Sequence, residues 1–457
     1  MSTSQIGVGW GIVTMLCSFV ATSTWLWFVW YNPILMGYWQ PAWEHMAIRD
    51  FFLKSAFPYK NYGFISRLES LRGLAAVMVA VHHCLKIFLV AKTPLPLDKF
   101  QFHSAFWLHL LFAGSSAVIL FFVHSGLVLG LSLDKSRDVQ ALPRWAGFWM
   151  RRIFRLYPMQ IFTILLSLVY VTCFFHTPHY IHIDHWFEKF FRHTPTLLEV
   201  VQNCLLASSS MSGVTWSLCV EAIVSVLFPL LYVFNRKGNG LLDLALLGGF
   251  LFLSFKSAGI SDEYAIYRNT LQFLYVFYLG LSIPKWGPTV FSMLTHKVVR
   301  VALSLGALFL FFGYQFVTPN PFLQVVVRSF SATWLIASVV YYQDSPMYGF
   351  LDRALPTLFG KICYSFYLMH FITLYITAWL FMDYAPAWLP TTYPLACNLV
   401  MVLISVPIAT GLGYCCNHLI EEPLVRFGKR LVTRLCPAVR KPVKEEIPLE
   451  PSYALQN

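Results

Sequence analysis

The stretch Leu71-Arg72-Gly73-Leu74-Ala75-Ala76 continues through an apolar run to the pair His82-His83. On a helix, eleven positions at about 100° each make roughly three turns, so Arg72 and His83 share one face, about 16 Å apart along the axis, while His82 points elsewhere. A strong cation at the mouth of a membrane helix and an imidazole near its middle suit an enzyme that holds an anionic donor at the surface and reacts its tip inside. Ionisable groups at that depth are costly and mark function by default.

Further groups invite the same question. Phe121-Phe122-Val123-His124-Ser125-Gly126 sets an imidazole, which needs a partner when buried, among small residues that read equally as helix packing. Arg152 and Arg155 stand three apart on one face, two guanidinium forks suited to bidentate phosphate contacts or to resting on lipid headgroups. In Thr215-Trp216-Ser217-Leu218-Cys219-Val220-Glu221 a hydroxyl and a carboxylate lie four apart. Glu221, more than a turn into hydrocarbon, must be protonated, paired or turned to a polar cavity unless it is purely structural. Cys363, Tyr367 and His370 fall at i, i+4 and i+7, a stripe that lines a cavity or ties helices together. Glu421-Glu422-Pro423 reads most simply as a helix stop.

The elements that must position these groups are membrane helices. Of 457 residues, 57% are hydrophobic and 12% charged, and the mean hydropathy is +0.61. Apolar runs of about 20 residues, enough to cross a hydrocarbon core, recur about eleven times, near 10–31, 68–91, 106–131, 156–175, 214–235, 240–256, 266–283, 298–317, 322–342, 362–382 and 395–416. The expected fold class is all-α, a polytopic transmembrane helix bundle. Residues 1–60 read as an amino-terminal anchor helix with its linker, 61–430 as the membrane domain and 431–457 as a Pro-, Lys- and Glu-rich disordered tail. The first span lacks a basic leader and a clear cleavage site, so it reads as an anchor and not as a signal peptide.

The net charge of +12 is spread between spans and not gathered into a soluble basic module, which excludes a nucleic-acid partner. Arg49, Lys54, Lys60 and Arg67, the group from Lys135 to Arg155, Arg236 and Lys237, Lys297 and Arg300, and the tail fall on one side of an eleven-span chain. The positive-inside rule makes that side the cytosol, with the carboxyl terminus in it. An endomembrane, such as the endoplasmic reticulum, or the plasma membrane is the expected location. His176, His179, His182, His185 and His193 fill a long loop on the opposite side. They could serve a metal, but Pro178 interrupts the helix and no Cys or carboxylate completes a zinc motif, so a solvated or interfacial loop is preferred and no metal is expected. Cys415-Cys416 is either a palmitoylation site or a buried pair. Val81-His82-His83-Cys84 faintly resembles the core of protein palmitoyltransferases, but the aspartate and the zinc-binding cysteines are missing.

In order and spacing these signatures resemble the acyltransferase 3 family of integral membrane acyltransferases, over residues 64–428. The pattern comprises Arg72 and His83 with ten residues between, the Phe-Phe-x-x-Ser-Gly element at 121–126, Arg152 with Arg155, Trp216-Ser217-Leu218 with Glu221, and Tyr364-Ser365 with Tyr367 and His370. The chain departs from it by an additional amino-terminal span before a ten-span core and by the lack of an appended hydrolase-like domain. Its general look is similar to fungal members, some of which serve specialised-metabolite pathways.

The resemblance implies transfer of an acyl group, usually acetyl, from acyl-CoA to a hydroxyl on a small molecule, carbohydrate or lipid. No tightly bound cofactor is implied. Arg72, Arg152 and Arg155 would bind the coenzyme A phosphates, and His83 would be the general base. Glu221 would orient the histidine or hold the acceptor, and Tyr367 or His370 would donate to the oxyanion. A transporter that uses the same buried groups as a proton relay, or a donor-side module serving another enzyme, are the competing readings.

Overall fold

The computed structural model describes residues 66–435 apart from 89–95, 137–138, 175–183, 189, 191–193 and 344. The expected anchor span at 10–31, its linker, the tail beyond Leu435, and His176, His179, His182 and His193 of the loop therefore lie outside the described residues. The chain divides into two compact units, residues 57–238 with 242–457, and residues 1–56 with 239–241. The first carries the site.

Thirteen helices of eight residues or more order the described chain: α1 (Ser66–Cys84), α2 (Pro96–Leu111), α3 (Gly114–Asp134), α4 (Ala141–Phe174), α5 (Leu197–Cys204), α6 (Trp216–Lys237), α7 (Gly240–Ser257), α8 (Ala265–Ser292), α9 (Lys297–Val317), α10 (Pro321–Tyr341), α11 (Ala354–Tyr384), α12 (Pro394–Cys416) and α13 (Glu422–Leu435). No β-strand occurs among the described residues. The protein is an all-α membrane bundle. Among the described residues, eight helical stretches are long and apolar enough to cross a membrane, so the expected count of eleven is not confirmed. The stretch Pro394–Leu435 runs through a π-helical segment, Asn417–Glu421, so Glu421-Glu422-Pro423 does not stop the helix. Pro423 follows the π-helical turn. α4 begins at Ala141, so Arg152 and Arg155 lie inside a helix and not ahead of one.

Two glycine contacts set the core. Gly73 of α1 and Gly360 of α11 meet backbone to backbone; a Cβ on Gly360 would lie 2.8–2.9 Å from Glu69 and Ser70 main-chain atoms. Small residues allow such close approach where apolar burial gives no net drive between helices. Gly73 and Gly360 are offset by 287 residues (360 − 73), the same offset as His83 and His370. A constant offset means that α1 and α11 run parallel and in register over these ten residues, about 15 Å. Gly126 of α3 meets Phe277 of α8, and Gly280 of α8 meets Val123. There the residue numbers have a constant sum, so α3 and α8 are antiparallel.

A buried polar knot joins α3, α6, α7 and α8. The Asp134 carboxylate accepts from Arg236 at 2.9 and 3.2 Å and from the Tyr232 hydroxyl at 2.7 Å. Asp243 accepts from Lys285 at 2.7 Å, the Tyr278 hydroxyl at 2.6 Å and Trp286 Nε1 at 2.9 Å. Lys285 spends its other hydrogens on the Asn235 and Gly238 carbonyls. Buried charges persist when paired and hydrogen-bonded in this way.

Candidate active site

α1, α3, α4, α6 and α11 converge on a cavity of about 100 Å³, room for roughly three waters. Its walls bring together Arg72, His124, Arg152, Arg155, Glu221 and Tyr367, residues separated by up to 295 positions in sequence (367 − 72).

The three arginines differ in what holds them. Arg152 forms an ion pair with Glu221 and donates from Nε to Ser225 Oγ at 3.2 Å. Arg155 forms an ion pair with Glu421. Arg72 donates from one terminal nitrogen to the Gly360 carbonyl at a long 3.4 Å, and its buried Nε has no partner among the described residues. An unpaired N–H of a buried guanidinium costs about 1–3 kcal/mol or more. Arg72 thus has no ion pair among the described residues, whereas Arg152 and Arg155 are each engaged by a glutamate.

Glu221 is held by α3 as well, through Ser125 Oγ at 3.3 Å. Ser217 does not pair with Glu221. Its hydroxyl meets the Tyr367 hydroxyl at 2.9 Å and donates to the Val214 carbonyl at 3.0 Å. His124 is buried on the cavity wall with Nε2 unpartnered among the described residues.

Glu421, only 2% exposed, is a buried carboxylate whose place beside the cavity its sequence context did not reveal. Besides Arg155 it accepts from Ser365 N at 3.2 Å, Ser365 Oγ at 2.6 Å and Asn417 Nδ2 at 3.1 Å. π-Helical turns recur at functional sites, and this one turns Asn417 and Glu421 toward α11 together. Their spacing of four was the available signal; the adjacent Pro423 concealed it.

His83 lies one layer beyond the cavity wall. Its Nδ1 is 3.1 Å from His370 Nε2, and Tyr367, which lines the cavity, stands 5.5 Å from the His370 ring. His370 Nδ1 is buried with no partner among the described residues. In the tautomer where His370 Nε2 accepts from His83 Nδ1–H, His83 Nε2 is left as the basic nitrogen. Trp186 packs over His83 with ring centroids 4.6 Å apart, its amide tied to Asp184 Oδ1 at 2.8 Å.

On the far side of Trp186 opens a second cavity of about 830 Å³, bounded by Trp186, Trp216, Ser208–Ser210 and Asn269. Its loop wall is built with care. A capping box between Thr196 and Glu199 starts α5, Asn203 accepts from Met211 N at 3.1 Å, and Leu206 takes φ 59°, a left-handed conformation costing about 1–2 kcal/mol. Such strain, held by its surroundings, points to function. Trp216 faces this cavity and its neighbour Ser217 the smaller one. The start of α6 and the Trp186, His83, His370, Tyr367 row therefore form the partition between the two spaces. No group of three or more His, Cys, Asp or Glu side chains suited to a metal exists among the described residues.

No curated protein and no solved structure matches the chain. The model of the acyltransferase domain of the acyltransferase 3 family matches residues 65–410, which include Arg72, His83, Arg152, Arg155, Glu221, Tyr367 and His370, and the chain belongs to this family of membrane acyltransferases.

Proposed function

We propose that the protein moves an acetyl group from acetyl-CoA to a hydroxyl of a small molecule, the kind of decoration found in specialised metabolism. The observation that carries this reading is the partition: an imidazole pair set between an arginine-lined cavity and a larger cavity rich in hydroxyl and aromatic groups. The donor's phosphates rest at the Arg72 end, on the cytosolic side, with Arg152 and Arg155 reinforcing the positive field. The pantetheine arm reaches inward along α1. The acceptor approaches from the side of Trp186, whose ring must swing aside to uncover His83.

In the reaction His83 Nε2 takes the proton of the acceptor hydroxyl as its oxygen attacks the thioester carbonyl. The carbon–sulfur bond breaks, and the departing thiolate receives the proton from His83. His370 holds the base in its working tautomer and shares the imidazolium charge. The Tyr367 hydroxyl, shared with Ser217, is the donor nearest a developing oxyanion. Glu221 positions Arg152. The test uses membranes that contain the protein, labelled acetyl-CoA and an extract of candidate acceptors. Label should enter product and free coenzyme A should appear with the wild type and not with His83→Ala expressed to the same level. A protein that only transports would give neither, and equal turnover by His83→Ala would remove the assigned base.

A further inference from the structure

α1 has a second polar face. His82 turns away from His83 into a separate cavity of about 380 Å³ between α1, α2, the start of α3 and α9, space for roughly a dozen waters. His82 Nδ1 and His109 Nδ1 are buried with no partner among the described residues, and their rings stand 5.5 Å apart. A neutral imidazole whose Nδ1 is unpartnered can accept a hydroxyl or amide hydrogen there.

Lys86 and Asp184 share the lining. Behind the wall, Arg328 donates to Ser115 Oγ at 2.6 Å and lies 4.1 Å from the Tyr314 ring centre. Two cations against one carboxylate leave a net positive field. The carboxylate is half engaged already, since Oδ1 accepts from Trp186 N. Phe88, Phe106 and Phe312 supply apolar wall, and Gln315 adds a further polar group. At the rim, Phe106 stacks edge-on against Phe316, and Trp107 and Phe316 are each 56% exposed, the amphipathic aromatic edge found at bilayer interfaces.

We propose that this cavity seats the headgroup of a phospholipid that carries both a phosphate and free hydroxyls. The phosphate lies against Lys86, within the field of Arg328. A headgroup hydroxyl donates to His82 Nδ1, another reaches Asp184, and the glycerol and first methylenes rest on the phenylalanines. The occupant would brace the last turn of α1, where the His82 and His83 rings stand 6.1 Å apart. This assignment is independent of the acyl-transfer reading.

The experiment measures lipid retention by native mass spectrometry on the delipidated full-length protein. Phosphatidylinositol supplies phosphate and hydroxyls, phosphatidylcholine supplies phosphate alone, and free inositol phosphate supplies the head without chains. Phosphatidylinositol should bind about tenfold tighter than phosphatidylcholine. Lys86→Met and His82→Phe should each reduce that preference to within about twofold, with melting temperatures checked for both. Equal retention of the two lipids, or an unchanged preference in both variants, overturns the proposal. Binding of inositol phosphate as tight as that of the lipid overturns the lipid assignment.

Discussion

Two polar clusters in this bundle use the same ingredients to opposite ends. In the knot of Asp134, Arg236, Asp243 and Lys285 each carboxylate receives several donors and Lys285 donates to three oxygens. Around the arginine cavity, Arg72 Nε and His124 Nε2 have no partner among the described residues, and open space adjoins them. A completed network locks helices together; an incomplete one beside a cavity leaves donors and acceptors open to a ligand. Charge within the membrane is therefore not by itself the mark of a site.

The contrast can be broken experimentally. The largest effect should come from His83→Ala, which removes a general base and should lower turnover by about 10²–10⁴-fold with an unaltered melting temperature, read with labelled acetyl-CoA. Asp243→Ala strands Lys285 and should cost about 3–5 kcal/mol of stability. Chemical denaturation in detergent would show it, and activity per folded molecule should be retained. If that variant kept its stability and lost activity, the knot would belong to the site.

Arg72→Gln should sharpen the same distinction. Loss of one charge-assisted contact to the donor should raise the KM for acyl-CoA about ten- to a hundredfold while leaving stability level or slightly higher, because a buried orphan is removed. A drop in stability without a change in KM would make Arg72 structural. The smallest effect belongs to Asp352, outside the spans, whose carboxyl is held below the usual carboxylate range by hydrogen bonds from Arg67. A lowered folded-state pKa contributes stability above the unfolded value near 3.9 and loses it as pH falls. The melting-temperature gap between wild type and Asp352→Asn should therefore be present at pH 7 and narrow as the pH falls below about 3.9.

Much of this was legible in the residues. The period of α1 puts Arg72 and His83 on one face, and the i, i+4, i+7 spacing puts Cys363, Tyr367 and His370 in one stripe of α11, because both patterns depend on a single helix and its spacing. What spacing along one helix cannot express is pairing between helices. Glu221 is separated from Arg152 by 69 residues and Glu421 from Arg155 by 266, and no local pattern links them. Trp186 over His83 was equally hidden, since it comes from a short segment whose position depends on Asp184 and Ile87. His124 was ambiguous among small residues until the antiparallel contact of α3 with α8 fixed which way it faces. Glu421 was misread because Pro423 usually marks an end, while here a π turn carries the helix past it.

The shared register of α1 and α11 makes the seam a mechanical lever. Gly73 and Gly360 act as its fulcrum, and the imidazole pair sits at the end of the arm. A single methyl group at Gly73 would pry the helices apart where they touch, and the opening would be felt about 15 Å away, across a 3.1 Å contact between His83 and His370. Geometry at the proposed reacting end is thus governed by the smallest side chains in the seam, far from any chemistry they could perform.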